Sequence, residues 1–188
     1  MVARLSNLAL KMYGWYIQHG HARNEEDEQD IKQFMKESLP PDVWSQTGFY
    51  ERLYLYQSYS WYAFIRQDFL QYYRHAQKWV DLFQEQPLMI RVETGHYIKG
   101  LHNLMNAHFD LRNYRGFEKT IKQFEAFSET DRVKDHDNFR IQTFIYITIA
   151  RMNQHFMTGT FKDGIPLIPG IEEKLENYEM FIDNHRVL

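Results

Sequence analysis

The chain has 188 residues, no cysteine and a formal net charge of -3, and 16% of its residues are aromatic. Without cysteine, disulfide frameworks, catalytic thiolates and Cys-ligated zinc or iron–sulfur clusters are excluded. The 22 Lys and Arg residues are dispersed along the chain. This pattern excludes the basic footprint of a nucleic-acid partner and the polybasic patch of a membrane-surface protein.

No segment is predicted to cross a membrane or to direct secretion. The longest nearly uncharged stretch, between Arg140 and Arg151, has ten residues, whereas a helix that crosses a bilayer core needs roughly 20. Residues 1–7 contain neither the continuous apolar segment nor the small-residue cleavage site of a signal peptide. We therefore expect a cytoplasmic protein whose partner is neither a membrane nor a nucleic acid.

Apolar residues recur at helical spacing along the chain, and almost no segment alternates as a half-buried strand does. Two helices, at about residues 3–18 and 29–39, form a first hairpin with a long acidic connection. Three later segments share one plan, in which a long apolar helix, a short polar break and a second amphipathic helix follow one another. The breaks are Arg66–Phe69, Arg112–Tyr114 and Thr158–Phe161.

The aromatic residue that follows each break recurs at a regular interval. Phe69 and Tyr114 are 45 positions apart, and Tyr114 and Phe161 are 47 positions apart. We expect these rings to be buried as plugs between the two helices of each hairpin. The residue before each ring is a predicted N-cap, whose side chain accepts backbone N–H groups: Asp68, Asn113 and Thr160. The chain is thus predicted to be all-α, with seven or eight helices in a single domain of four hairpins, at about residues 1–40, 45–86, 87–129 and 133–186.

The segment from Leu104 to Thr120 resembles the tetratricopeptide-repeat (TPR) family. Its run Leu104-Met105-Asn106-Ala107-His108-Phe109 is similar to the first helix of that family, and Tyr114 is similar to the aromatic that opens the second helix. Asp68-Phe69 and Thr160-Phe161 fit the same hinge. The resemblance covers residues 48–178 and implies a TPR-like right-handed α-solenoid, similar to helical-repeat proteins of bacteria. The interval of 45 to 47 residues exceeds the family's period of about 34, which implies longer helices or loops.

The resemblance also implies a ligand-binding face. In TPR-like arrays the first helix of each hairpin lines the concave surface, where ligands dock. Carried over residue by residue, this face consists of Trp61, Lys99, His102, Asn103, Asn106, Phe109, Asp110 and Asn153. Asn106 and Asn153 match the position at which the family's peptide binders hold backbone groups, but the basic residues that grip a terminal carboxylate are not repeated. We expect a mixed aromatic and amide groove for an extended or helical peptide. The alternative places the aromatic side chains of the first helices in the core.

No motif predicts catalysis, a cofactor or a metal. The nucleophile elbow, the phosphate-binding loop, the dinucleotide-binding glycine pattern and the His-Glu-x-x-His pair are all absent. The Glu-x-x-His spacing of di-metal helical bundles occurs once, at Glu93 and His96, whereas such sites need two copies and two further Glu residues. His19 and His21 lie on a predicted loop beside acidic residues. We therefore predict no catalytic residue, no cofactor and no metal ligand.

Two functions are consistent with these patterns. The first is a non-catalytic protein- or peptide-binding scaffold that uses the concave face of a helical-repeat arc. The second is a small-molecule sensor or enzyme with an enclosed pocket lined by Trp61, His102, Asn106 and Asp110. A deep closed cavity favours the second and an open groove favours the first. Apolar residues still occur at the end of residues 180–188, at Val187 and Leu188. We expect either a homodimer through the terminal hairpin or a chain that is part of a longer array.

Overall fold

The computed structural model describes residues 1–41, 43 and 48–178, and within these ranges the chain is all-α, without a strand. In chain order, the helices are α1 (Val2–His19), α2 (Glu25–Ser38), α3 (Phe49–Ile65), α4 (Phe69–Glu85), α5 (Leu88–Val92), α6 (Thr94–Asp110), α7 (Tyr114–Ser128), α8 (Asp131–Lys134), α9 (Asp137–Thr158), α10 (Phe161–Gly164) and α11 (Ile168–Asn177). A 3-10 turn, Ile165–Leu167, joins the last two. The predicted all-α class is confirmed.

The chain forms two compact units, Met1–Leu111 and Arg112–Leu188. We refer to them as unit 1 and unit 2. Their boundary falls in the turn between α6 and α7, inside the segment predicted as the third hairpin. The short helices α5 and α8 precede the long helices α6 and α9, and α5 lies inside the segment predicted as the third hairpin. The longer interval of the repeat is explained by helices of 15 to 22 residues in α3, α4, α6, α7 and α9.

In unit 1 the long helices pack as a row. α3 packs against α1 on one side and against α4 on the other, and α4 packs in turn against α6. The side chains of one core cluster come from α1, α2, α3 and the segment before α3: Leu5, Leu8, Met12, Ile31, Met35, Val43, Leu55 and Ile65. The apolar face of α2 is therefore covered by side chains of α1 and α3. This packing stabilises α2, because an amphipathic helix gains most of its stability from burial of its apolar face.

A glycine lets α4 and α6 approach closely. A Cβ atom on Gly100 of α6 would lie 3.1 Å from both Cδ1 and Nε1 of Trp79 in α4. Trp79 is buried, with 4% of its surface exposed, so the ring has no open space to turn into. By contrast, a Cβ on Gly14 in α1 would meet no atom within 4 Å. Only the first glycine is required by packing.

The three repeated breaks share one backbone conformation. The residue before each predicted N-cap is left-handed, with φ of 55° at Gln67, 51° at Arg112 and 69° at Gly159. Two of the three N-caps form as predicted: Asp68 accepts from the Gln71 amide, and Asn113 accepts from the Gly116 amide. The repeat seen in the sequence is therefore a repeat of turn geometry.

Three expectations at the turns and the first connection were wrong. Thr160 makes no capping bond, because its Oγ1 is hydrogen-bonded to His155 and Thr158 instead. Two of the three rings expected as plugs are open to solvent, with 49% of Tyr114 and 57% of Phe161 exposed, whereas Phe69 is half-buried. The acidic connection is shorter than expected, since the Asn24 side chain accepts from the Asp27 amide and starts α2 at Glu25.

Unit 2 is organised around α9, which has 22 residues and is the longest helix of the described ranges. α7, α8 and α10 all contact α9, and buried side chains from α7, α8 and α9 fill the space between them: Phe117, Thr120, Ile121, Phe124, Val133, Ile141, Thr143 and Ala150. Arg151 of α9 donates two hydrogen bonds to Glu125 of α7, at 2.8 and 2.5 Å. No helix within the described ranges has a stretch that is long and apolar enough for a bilayer.

Candidate functional site

In unit 1, the predicted first helices bring their side chains into one surface. Tyr16 of α1 lies 5.3 Å from Trp61 of α3, measured between ring centroids. Tyr54 of α3 lies 5.8 Å from the His96 ring of α6. We call this the α1–α3–α6 surface, and its partly or fully exposed members are Tyr13, Tyr16, Tyr50, Tyr54, Trp61, Phe64, His96, Lys99, Asn103, Asn106 and Asp110.

The amides on α6 are held by hydrogen bonds. Asn103 donates to the Lys99 carbonyl at 2.7 Å and accepts from the hydroxyl of Tyr72 at 2.9 Å. Asn106 Nδ2 lies 3.1 Å from Nε2 of His102, and in this amide orientation the imidazole accepts the bond. Burial lowers the pKa of His102 to about 4, so the ring is neutral at neutral pH and suited to that role. These groups form a fixed polar row beside the exposed Lys99.

Asp110 ends α6 and has a different environment. Its side chain is half-buried, and among the described residues its carboxylate makes no hydrogen bond and no ion pair. Burial raises the pKa of Asp110, and the imidazole of His21 opposes that rise. The carboxylate also acts electrostatically on the buried Tyr72, whose pKa is raised mainly by burial. A carboxylate in this position keeps its hydrogen-bonding capacity for a ligand.

The remaining predicted site residues are divided between the units. Trp61 packs against Tyr13 at 5.2 Å as well as against Tyr16, and it stays half-buried, so it is both a packing residue and part of the surface. Phe109 is half-buried on α6. Asn153 is half-buried on α9 and belongs to unit 2. The structure thus connects Trp61 to Asn103 of α6 indirectly, through the rings of Phe64 and Tyr72.

Tyr16, His21 and Tyr72 belong to this region and were not among the predicted site residues. Tyr72 is 3% exposed and connects α4 to Asn103 of α6. His21 donates from Nδ1 to the Phe64 carbonyl at 2.9 Å. No local pattern indicated these roles, because each depends on a contact between elements that are distant in the chain. The sequence does show two tyrosines on α1, Tyr13 and Tyr16, but this recurrence does not identify the residues that they contact.

The described residues contain no group of three His, Asp or Glu side chains that could hold a metal ion. The single Glu-x-x-His pair has another use. Glu93 Oε2 is 2.9 Å from Nδ1 of His96, and Glu93 Oε1 accepts from the hydroxyl of Tyr50 at 2.9 Å. Both carboxylate oxygens are therefore engaged in joining α3 to α6.

A separate open groove of about 770 Å³ lies in unit 2, between α7, α9 and α11. Its wall contains Phe144 and Tyr178, whose ring centroids are 5.7 Å apart. Lys174 lies 5.2 Å from the centre of the Phe144 ring, and Arg140 lies 5.9 Å from that of Tyr178. None of the eight predicted site residues lines this groove.

Comparison of the chain with protein-family models, with curated proteins and with solved structures finds no match.

Proposed function

We propose that the chain is a non-catalytic scaffold that binds a protein or peptide segment on the α1–α3–α6 surface of unit 1. The observation that supports this most is the composition of that surface. Half-buried Tyr and Trp rings lie next to amide and imidazole groups over three consecutive first helices. Amphipathic aromatic residues of this kind are enriched where proteins bind one another.

The arrangement along α6 suits an extended segment. Lys99, Asn103, Asn106 and Asp110 follow one another at spacings of four, three and four residues, so they lie on one side of the helix. Each step along that side is about 5 to 6 Å, which is close to the rise of two residues in an extended chain. Side-chain amides can therefore meet successive peptide groups of a bound segment, while the neighbouring rings contact its side chains.

A peptide-library selection tests this proposal. Peptides selected on the wild-type chain are titrated against a Trp61→Ala, Asn106→Ala double variant, with folding checked by circular dichroism. The control is Leu88→Ala, because Leu88 lies on α5 outside the surface and is 79% exposed. We expect the double variant to weaken binding at least about tenfold, as for a central aromatic hot spot, and the control to leave it unchanged. Peptides that bind all three proteins equally would contradict the proposal.

A second candidate function rests on the groove of unit 2. Its volume of about 770 Å³ is within the range of small-molecule sites, roughly 300 to 1,000 Å³. In its wall, Lys174 and Arg140 lie over the rings of Phe144 and Tyr178. We propose an anionic aromatic compound as the ligand class. The probe is 1-anilinonaphthalene-8-sulfonate, titrated by fluorescence against wild type, Lys174→Ala and the exposed control Lys162→Ala. Weaker saturable binding in Lys174→Ala alone supports a small-molecule site, and identical titrations oppose it.

A further inference from the structure

Five rings from four different elements meet at one end of the α1–α3–α6 surface. We call this cluster the aromatic basin, and its members are Tyr16, His21, Trp61, Phe64 and Tyr72. Phe64 is central to it: its ring centroid lies 5.4 Å from Tyr16, 4.6 Å from His21, 5.9 Å from Trp61 and 5.2 Å from Tyr72. All of these rings except Tyr72 are half-buried, so part of each of these four side chains is exposed to solvent.

Asp110 lies on the same side of α6 as Asn103, which accepts a hydrogen bond from Tyr72 of the basin at 2.9 Å. The carboxylate of Asp110 also interacts electrostatically with two members of the basin, His21 and Tyr72. It is half-buried and makes no hydrogen bond or ion pair with any described residue. A half-buried carboxylate without such a partner is unfavourable. A ligand that brings a positive charge would remove that cost.

Three helix ends add negative potential at this point. α1 ends at His19, α3 at Ile65 and α6 at Asp110. Ring contacts of the basin join α1 to α3, and the hydrogen bond from Tyr72 to Asn103 joins the basin to α6. Each C-terminal end carries a partial negative charge. The nearby Arg66 does not neutralise Asp110, since its guanidinium is 2.6 Å from Glu28. The positive end of α4 is capped by the side chain of Asp68.

We propose that the aromatic basin and Asp110 form a subsite for the guanidinium of an arginine side chain in the bound peptide. This inference rests on the proposed function. A planar guanidinium stacks on aromatic faces and forms two parallel hydrogen bonds with a carboxylate, which an ammonium group does not. Trp61 and Phe64 supply the faces, and Asp110 supplies the acceptor. The negative helix ends favour the charge, so the subsite selects a cation over a neutral side chain of the same shape.

Two small probes test the subsite directly. Nα-acetyl-arginine methylamide carries the guanidinium, and Nα-acetyl-citrulline methylamide replaces it with a neutral urea of nearly the same shape. Each is titrated into the full chain while the indole N–H signal of Trp61 is followed by NMR, with Trp61→Phe used to assign the signal. We expect saturable binding of the arginine probe and none of the citrulline probe. Equal binding of both probes, or binding of neither, would overturn the inference.

Two matched variants distinguish a specific effect of the Asp110 carboxylate from the effect of removing one negative charge anywhere in unit 1. Asp110→Asn should weaken the arginine probe at least about tenfold, the loss expected for a charge-assisted pair. Asp30→Asn should leave it unchanged, because Asp30 is exposed on α2 in the same unit. Asp110→Glu retains the charge and should restore part of the affinity. Asp110→Asn should also unfold in urea at neutral pH at the same or a higher midpoint than wild type. A lower midpoint would show that Asp110 is a structural residue and would overturn the inference.

The outcomes distinguish this inference from the proposed function. If selected peptides depend on Trp61 and Asn106 but lack arginine, the surface binds peptides and the arginine subsite is wrong. If the arginine probe binds but no peptide is selected, the subsite stands and the peptide-binding proposal fails.

Discussion

Replacing glycine by alanine should have opposite effects on stability at Gly100 and at Gly14, although both lie inside helices of unit 1. In a helix interior, alanine is favoured over glycine by about 1 kcal/mol. At Gly14 nothing lies within 4 Å of the new Cβ. We therefore expect Gly14→Ala to raise the free energy of unfolding by about 0.5 to 1 kcal/mol.

At Gly100 the same methyl group meets Trp79. The Cβ would lie 3.1 Å from Cδ1 and Nε1 and 3.4 Å from Cε2 of the indole, whereas carbon contacts are optimal at about 3.5 to 4.0 Å. Because the ring is buried between α4 and α6, relief requires the helices to move apart. Overpacking of this kind costs about 1 to 3 kcal/mol. After the gain in helix propensity, we expect Gly100→Ala to lower the free energy of unfolding by about 1 kcal/mol.

Urea unfolding followed by far-ultraviolet circular dichroism measures both variants. A double-mutant cycle adds the cause, since the smaller ring in Trp79→Phe should reduce the penalty of Gly100→Ala. The reasoning is refuted if Gly100→Ala is as stabilising as Gly14→Ala, or if its penalty is the same in both Trp79 backgrounds.

Three further predictions concern burial, protonation and backbone conformation. Phe117→Ala should lower the free energy of unfolding in urea by about 3 to 5 kcal/mol, because Phe117 is 2% exposed. Tyr114→Ala should lower it by only about 1 kcal/mol, the scale of the hydrogen bond from Tyr114 to the Met157 carbonyl. Equal losses in the two variants would contradict the burial of Phe117 and the exposure of Tyr114. Because the pKa of His102 is lowered to about 4 from 6.5, the folded state binds fewer protons than the unfolded chain between those values, so the free energy of unfolding should fall as pH drops through this window. In His102→Gln, that fall should be smaller by about 1 to 3 kcal/mol. The free energy of unfolding is measured at both ends of the window, and a fall in the variant equal to that in wild type would contradict the prediction. Arg112→Gly should raise the melting temperature, because a non-glycine residue in the left-handed region costs about 1 kcal/mol or more. Lys119→Gly, on the exposed side of α7, should lower the melting temperature. If both variants shift the melting temperature in the same direction, backbone strain at Arg112 is not the cause.

The hairpin turns could be predicted from the sequence because their chemistry is local. Asp68 and Asn113 cap α4 and α7 with their own side chains, bonding amides three residues away. Such bonds form whenever the backbone turns, whatever packs around it. The same holds for the helical spacing of apolar residues on α7, where Phe117, Ile121 and Phe124 are buried. The all-α class followed from these short-range patterns.

The burial of individual rings could not be predicted in the same way. Tyr114 and Phe161 occupy equivalent positions in two turns and were expected to be buried, but both are exposed, whereas Tyr72 is buried. Whether a ring at a given position is covered depends on which neighbouring element lies over it. Helical spacing identifies the side of a helix that faces other elements, but it does not identify those elements or their distance.

The candidate subsite shows this division most clearly. From the sequence, Trp61 and Asp110 were expected on the ligand-binding face because the resemblance to the TPR family implies that position for them. Only the tertiary structure made His21 and Tyr72 interact electrostatically with Asp110 and left its carboxylate without a hydrogen bond or ion pair among the described residues. His21 and Asp110 are 89 positions apart, and an interaction over that separation depends on how α1, α3, α4 and α6 pack. Local propensity determines the elements, whereas the chemistry of a site depends on the burial and charge that packing creates.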